Sequence, residues 1–214
     1  MVIAIDGPAG AGKSTVARAV AAALGFTYLD SGAMYRCVAL AGIERGADLD
    51  DEEAMGAVAR SLSIRLEDGR VSLDGRDVSV AIRKPEVTEA SSRVSVHPRV
   101  REAMVARQRG MIDSGRYVAE GRDIGTVVSP DAPLKVFLTA SAEERARRRA
   151  AQTGEDEVSV MAAQRGRDQR DETRAHSALR PAPDAVEIDT TDLLLTDVVE
   201  RVTTLARERG LLGA

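Results

Sequence analysis

The chain has 214 residues, 43% hydrophobic and 30% charged, with a net charge of −4; this suits one α/β domain with a real core and excludes disordered and polybasic nucleic-acid-binding classes. No apolar run reaches the roughly 18 residues that a membrane-spanning helix needs, and residues 1–6, apolar but with no basic stretch before them, do not read as a secretory leader. A single cysteine, Cys37, leaves no internal disulfide; with the acidic net charge and the lack of a long apolar run, no nucleic acid and no membrane are expected as partners, and the expected setting is the cytoplasm, as a monomer. Aromatic residues are 2% of the chain and tryptophan is absent, which argues against aromatic platforms as the main way of holding a base. The basic residues are nearly all arginine; only Lys13, Lys84 and Lys135 are lysines.

In chain order, Val2–Asp6 reads as a buried strand stopped by Gly7 and Pro8. A helix follows over Lys13–Leu24, with Val16, Val20 and Leu24 on one face. Residues 26–30 form a short second strand, and Ser31 is expected to cap a helix that ends at Gly46. Residues 50–61 read as another helix with an acidic first turn. The period then changes: 62–66, 71–73 and 78–80 alternate, separated by Asp68-Gly69 and Asp74-Gly75, the signature of a small antiparallel meander. Two helices opened by prolines follow, at 85–95 and 98–112. Strands are expected at 117–120, 134–138 and 185–188. Arginine-rich helices are expected at 141–151 and about 158–174, and a last helix at 195–209. Strand–helix alternation of this kind predicts a parallel sheet covered by helices, with the meander as an insert.

Gly7-Pro8-Ala9-Gly10-Ala11-Gly12-Lys13-Ser14 fits G-x-x-x-x-G-K-[ST] and lies between a predicted strand and a predicted helix, the context that confirms a phosphate-binding loop. The glycines let the backbone curl so that its N–H groups point at phosphate oxygens, and the helix start adds its positive end. Lys13 is expected to reach the β- and γ-phosphates, and the Ser14 hydroxyl to ligate Mg²⁺ brought in with ATP.

A phosphate loop does not name a reaction. The base-reading N-K-x-D signature of GTPases is absent, and the length suits a small-molecule kinase. Such an enzyme must hold a second polyanion against the first, which calls for arginines at the ends of elements. Arg36, one turn into a helix, and Arg122, just after a buried strand, stand where ligands bind in an open parallel sheet; taken singly, each also fits a solvated surface. His97 and His176 are the only histidines and are expected to be structural or surface residues.

Asp30-Ser31-Gly32-Ala33-Met34-Tyr35-Arg36, the run Glu120-Gly121-Arg122-Asp123-Ile124-Gly125-Thr126-Val127-Val128, and the segment from Arg167 to Arg174 together resemble the bacterial cytidylate kinases, in order and across nearly the whole chain. The resemblance implies a P-loop nucleoside monophosphate kinase fold: a five-stranded parallel sheet flanked by helices. Within one domain, 1–214, it places a nucleotide-binding insert at 62–96 and a short lid at about 150–175. It implies phosphoryl transfer from ATP to CMP, and to dCMP. ATP would be bound by residues 7–15, Thr15 included. Lys13, Arg36, Arg122 and Arg167 would be catalytic, holding acceptor and transferred phosphates. Ser31, Arg36, Ser92, Arg101, Arg122, Asp123, Asp171 and Arg174 would bind CMP. Two positions depart from the common family pattern: Ser14, where glycine or threonine is frequent, and Glu120, where aspartate is.

The chemistry supports part of this independently. Arg167, Asp171 and Arg174 are spaced to share one helical face. A carboxylate can accept from the cytosine N4 amino group and an arginine can donate to N3 or O2, whereas uracil would leave those groups unpaired. The same stripe also fits a solvated face of i,i+4 pairs. Two further readings stay open on the residues alone: a kinase of this fold with another acceptor, such as UMP or shikimate, and a regulator that binds ATP without turnover. The acceptor's phosphate is itself nucleophilic at neutral pH, its second pKa being near 6, so no general base is expected.

Overall fold

The computed structural model describes residues 1–67, 69–173 and 179–211. They form two compact units: Met1–Leu29 with the chain from Ile112 onward, and Asp30–Met111.

The first unit is built on β1 (Val2–Asp6), whose five residues are all buried. Its uninterrupted apolar run fits a strand with neighbours on both sides. It lies in the middle of a five-stranded parallel sheet, flanked by helices, in the order β2 (Thr27–Asp30), β6 (Tyr117–Gly121), β1, β7 (Leu134–Thr139), β8 (Val186–Asp189). Asp6 is in register with Gly121 on one side and Phe137 on the other, so the strand ends that carry Asp6 and Gly121 stand together. Helix α1 (Lys13–Leu24) turns Val16, Val20 and Leu24 into the core shared by Ile3, Ile5 and the buried face of α8 (Leu195–Glu208). Two further helices, α6 (Ala142–Thr153) and α7 (Glu157–Thr173), meet at a connection begun by Gly154 in the left-handed conformation. The first of them is capped by Ser141, whose hydroxyl accepts from the Glu144 amide.

The second unit has its own core, formed by Met34, Cys37 and Val38 of α2 (Ser31–Glu44), Met55 of α3 (Glu52–Ser61), Ile82, and Met104 of α5 (Pro98–Ile112). Burial of each such side chain contributes about 1.5–3 kcal/mol. Cys37 is fully covered, and burial pushes its thiol up to about 12. Helix α4 (Pro85–Val94) packs against α2. The meander is a three-stranded antiparallel sheet, β3 (Ile64–Glu67), β4 (Arg70–Leu73) and β5 (Arg76–Asp77).

Two local expectations are corrected, and one feature is new. Asp30, not Ser31, caps α2: its Oδ1 accepts from the Ala33 amide at 2.8 Å, leaving Ser31 as the first helical residue. The third meander strand is 76–77 rather than 78–80. Asp74 and Gly75 both have positive φ, 51° and 83°, so the two-residue turn returns the chain at once and pairs Leu73 with Arg76. The Asp77 carboxylate then accepts from the amide and hydroxyl of Ser79 and ends the strand. Finally, a π-helical turn over Ile124–Val128, which no periodicity announces, follows β6.

Candidate active site

In the first unit the loop after β1 is set by its glycines. Gly7, Gly10 and Gly12 have φ of 147°, 80° and 85°. A Cβ on Gly7 would stand 2.1 Å from the Leu138 carbonyl oxygen, so no side chain fits where the loop crosses β7. Gly12 precedes the first helical residue, Lys13, whose Nζ donates to the Pro8 carbonyl at 2.7 Å. Lys13 is buried, and that burial pushes its ammonium down to about 7; Arg122 adds to the shift, while Glu120 and Asp6 oppose it. Ser14 and Thr15 are exposed at the start of α1.

Loop carbonyls are held by cations. Arg122 Nη1 donates to Gly7 O at 3.1 Å, and Arg145 Nη1 to Ala9 O at 3.0 Å. Arg122 also gives its Nε to the Asp171 carboxylate at 2.7 Å. Asp171, expected to face a base, therefore holds an arginine expected to face a phosphate.

Asp6 fixes the turn behind Arg122. Its two carboxylate oxygens accept from the amides of Ile124 and Gly125 at 2.9 and 2.7 Å. Burial nonetheless raises its pKa to about 6, the two amide bonds working against the rise. Asp123, buried, lies at the head of the π-turn. Glu120 accepts from the Tyr28 hydroxyl at 2.5 Å, which gives the departing carboxylate a partner on β2. Arg167 is half-buried on α7, and Arg174 lies outside the described residues, as does His176.

The second unit gathers the remaining candidates around α2. Arg36 Nη2 pairs with Asp30 Oδ2 at 3.0 Å, so the cap residue also orients the arginine one turn on. Gly32 leaves room for that pair: a Cβ there would meet Arg36 Nη1 at 3.1 Å and Asp30 Oδ1 at 3.2 Å. Ser31 of α2, Ser92 of α4 and Arg101 of α5 are all buried. The Arg101 guanidinium lies 5.7 Å from the centre of the Tyr35 ring and Nη1 approaches Ser95 O at 3.5 Å. Arg101 is thus a buried arginine over an aromatic face within an apolar unit. His97 Nε2 bonds to Leu49 O at 2.8 Å, a structural use.

Asp6 and Tyr28 escape the sequence reading, and Tyr35, Arg145 and Asp168 stand in stretches it noticed without the contacts they make here. Tyr35 stands inside a recognised motif but has no motif chemistry of its own. The others act through partners more than 20 positions away, beyond the reach of local spacing.

A parallel sheet whose first strand runs into this glycine loop and a buried helix-start lysine defines a P-loop nucleotide-binding protein. The model of the cytidylate kinase family matches residues 3–208, and the chain belongs to that family. It is 48% identical to the cytidylate kinase of Solibacter usitatus over 98% of this chain and 93% of the relative. It is 50% identical to that of Mycolicibacterium paratuberculosis over 98% of this chain and 96% of the relative. A gluconokinase from Sinorhizobium meliloti shares the fold, with a TM-score of 0.50 and 20% identity, covering 99% of this chain and 94% of that one.

Proposed function

We propose that this protein transfers the γ-phosphoryl group of ATP to CMP, and to dCMP, giving ADP and CDP or dCDP by direct in-line displacement. Family membership across residues 3–208 carries the reading. The nucleophile is the acceptor's phosphate, and catalysis is positioning plus neutralisation of charge. Residues 7–15 bind ATP, with Lys13 at the β- and γ-phosphates. Arg36, Arg122 and Arg167 hold the acceptor and transferring phosphates. Ser31, Ser92, Arg101, Asp123, Asp171 and Arg174 recognise the CMP nucleoside.

The donor set fits a magnesium ion carried by the nucleotide. The Ser14 hydroxyl is exposed beside Lys13, and among the described residues no group of three acidic, histidine or cysteine side chains could hold a metal, which suits an ion held largely by phosphates and water. When bound, Mg²⁺ offsets charge on the β- and γ-phosphates.

The 62–96 segment serves as the nucleotide-binding insert, and the region from about 150 to 175 as a lid that excludes water from the transferring group. A cytoplasmic, monomeric enzyme completes the proposal; among the described residues no helix is long and apolar enough to cross a membrane.

The test is ADP formation from Mg-ATP with CMP, dCMP, UMP, AMP, GMP and shikimate offered one at a time. Turnover is expected to be led by CMP and dCMP. Turnover led by another acceptor would remove the cytosine reading and keep the phosphate loop; silence with all six would leave an ATP-binding regulator.

A further inference from the structure

Two covered charges in the first unit have no role in the reaction described so far. Arg145 of α6 and Asp168 of α7 pair at 2.6 Å, with side-chain exposures of 10% and 14%. The same Arg145 nitrogen donates to Ala9 O, at the crest of the phosphate loop, at 3.0 Å. Its Nε donates to Ala140 O at 3.2 Å, which fixes the plane of the guanidinium. Gln164, one turn before Asp168 on α7, donates to the Arg145 carbonyl at 3.3 Å. The crest leaves no slack here: a Cβ on Gly10 would stand 2.8 Å from Gln164 Nε2 and 2.9 Å from Arg145 Cβ. The loop crest, α6 and α7 thus meet at one guanidinium.

Asp168 holds Arg145 through Oδ2 alone; its Oδ1 is buried without a hydrogen-bond partner. The tie can therefore tighten, since an arginine and a carboxylate are strongest as a two-point fork. One turn further along the same face, Asp171 holds Arg122, which donates to Gly7 O. Helix α7 is consequently tied to the loop at two points, Gly7 and Ala9, each through an arginine.

We propose that Arg145 and Asp168 are positioning residues that make the setting of α7 depend on occupancy of the phosphate loop. Phosphate oxygens that draw in the loop amides fix the Ala9–Gly10 peptide; Arg145 passes that constraint to Asp168 and so to the helix that carries Arg167 and Asp171. The proposal rests on the reading of those two residues as acceptor-binding groups for its catalytic meaning, while its test needs no acceptor.

The experiment is amide hydrogen exchange on the full chain, with and without Mg²⁺ and the non-hydrolysable analogue AMP-PNP, in the absence of CMP. In the wild type the analogue is expected to slow exchange in peptides covering both 7–15 and 157–173. In Asp168→Asn the loop should keep its slowing while the effect over 157–173 falls by about fivefold or more, the lower end of ordinary coupling between sites. Arg145→Lys, which keeps the charge but not the fork, should behave alike. Equal slowing of α7 in wild type and variants, or none in the wild type, would overturn the proposal. If neither variant folds, the pair is a structural tie and the proposal also fails. Absence of CMP turnover would count against the cytosine reading and leave this result unaffected.

Discussion

The two units make their candidate sites in opposite ways. In the first, the site is backbone: a loop whose shape is imposed by Gly7, Gly10 and Gly12 and whose carbonyls are gripped by Arg122, Lys13 and Arg145. In the second, the candidates are side chains: Ser31, Ser92 and Arg101, buried on three helices, with the Tyr35 ring beside the arginine. A backbone site is tolerant of what it binds, provided phosphate is there, whereas a side-chain lining discriminates because an ill-matched ligand leaves buried polar groups unpaired.

The sharpest test of this contrast is Lys13→Ala, which removes the loop's own cation. We expect kcat to fall about 10²–10³-fold, the usual loss when one charge-stabilising contact is removed, with every acceptor affected alike in steady-state assays. A loss confined to CMP would erase the distinction between the units. Arg101→Ala comes next: KM for CMP should rise about 10–100-fold, as for the loss of a charged hydrogen bond of about 1.5–3 kcal/mol, while KM for ATP stays within about twofold. Parallel movement of both constants would break the comparison.

The smallest effect is a proton. Burial lowers the Lys13 ammonium from 10.5 to about 7. The free folded protein therefore binds fewer protons than the unfolded chain between these values, so Lys13 makes stability rise with pH across that window. Bound polyphosphate restores the charge. ATP binding at pH 8 should thus take up a fraction of a proton, seen as a dependence of the calorimetric heat on buffer ionisation enthalpy, and Lys13→Met should abolish it. Uptake that survives the substitution would assign the proton elsewhere.

The same contrast governs what was legible in the sequence. The phosphate loop is local: eight consecutive residues whose conformational demands are written in their identities, flanked by a strand and a helix that emerged where expected. The sheet and the meander were legible for the same reason, through runs of buried residues and the Asp74-Gly75 turn; Asp68, of the other Asp-Gly pair, lies outside the described residues. The errors are failures of competition between neighbours. Asp30 outbids Ser31 as a cap because its carboxylate serves both the Ala33 amide and Arg36. The turn at Asp74-Gly75 is tight enough to bring the third strand forward by two residues. Ser92 and Arg101 could be reached only through family resemblance, because they stand on different helices and no spacing rule connects them, and Tyr35's place beside Arg101 was not reached at all. Asp171 shows a further limit: the i,i+4 stripe with Arg167 predicted a helical face, and no local spacing could announce that the carboxylate also reaches Arg122, far away in the chain.

Cys37 has a practical consequence. It is the chain's sole cysteine, fully enclosed, with its thiol held near 12 by burial, and thiolate is the form that reacts with electrophiles. The native protein should therefore be silent to maleimides and disulfide reagents at neutral pH, and the rate at which a thiol reagent is consumed becomes a direct count of opened molecules. It also means that a reporter cysteine placed on the exposed surface can be labelled alone, without first rebuilding the core around a replacement for Cys37.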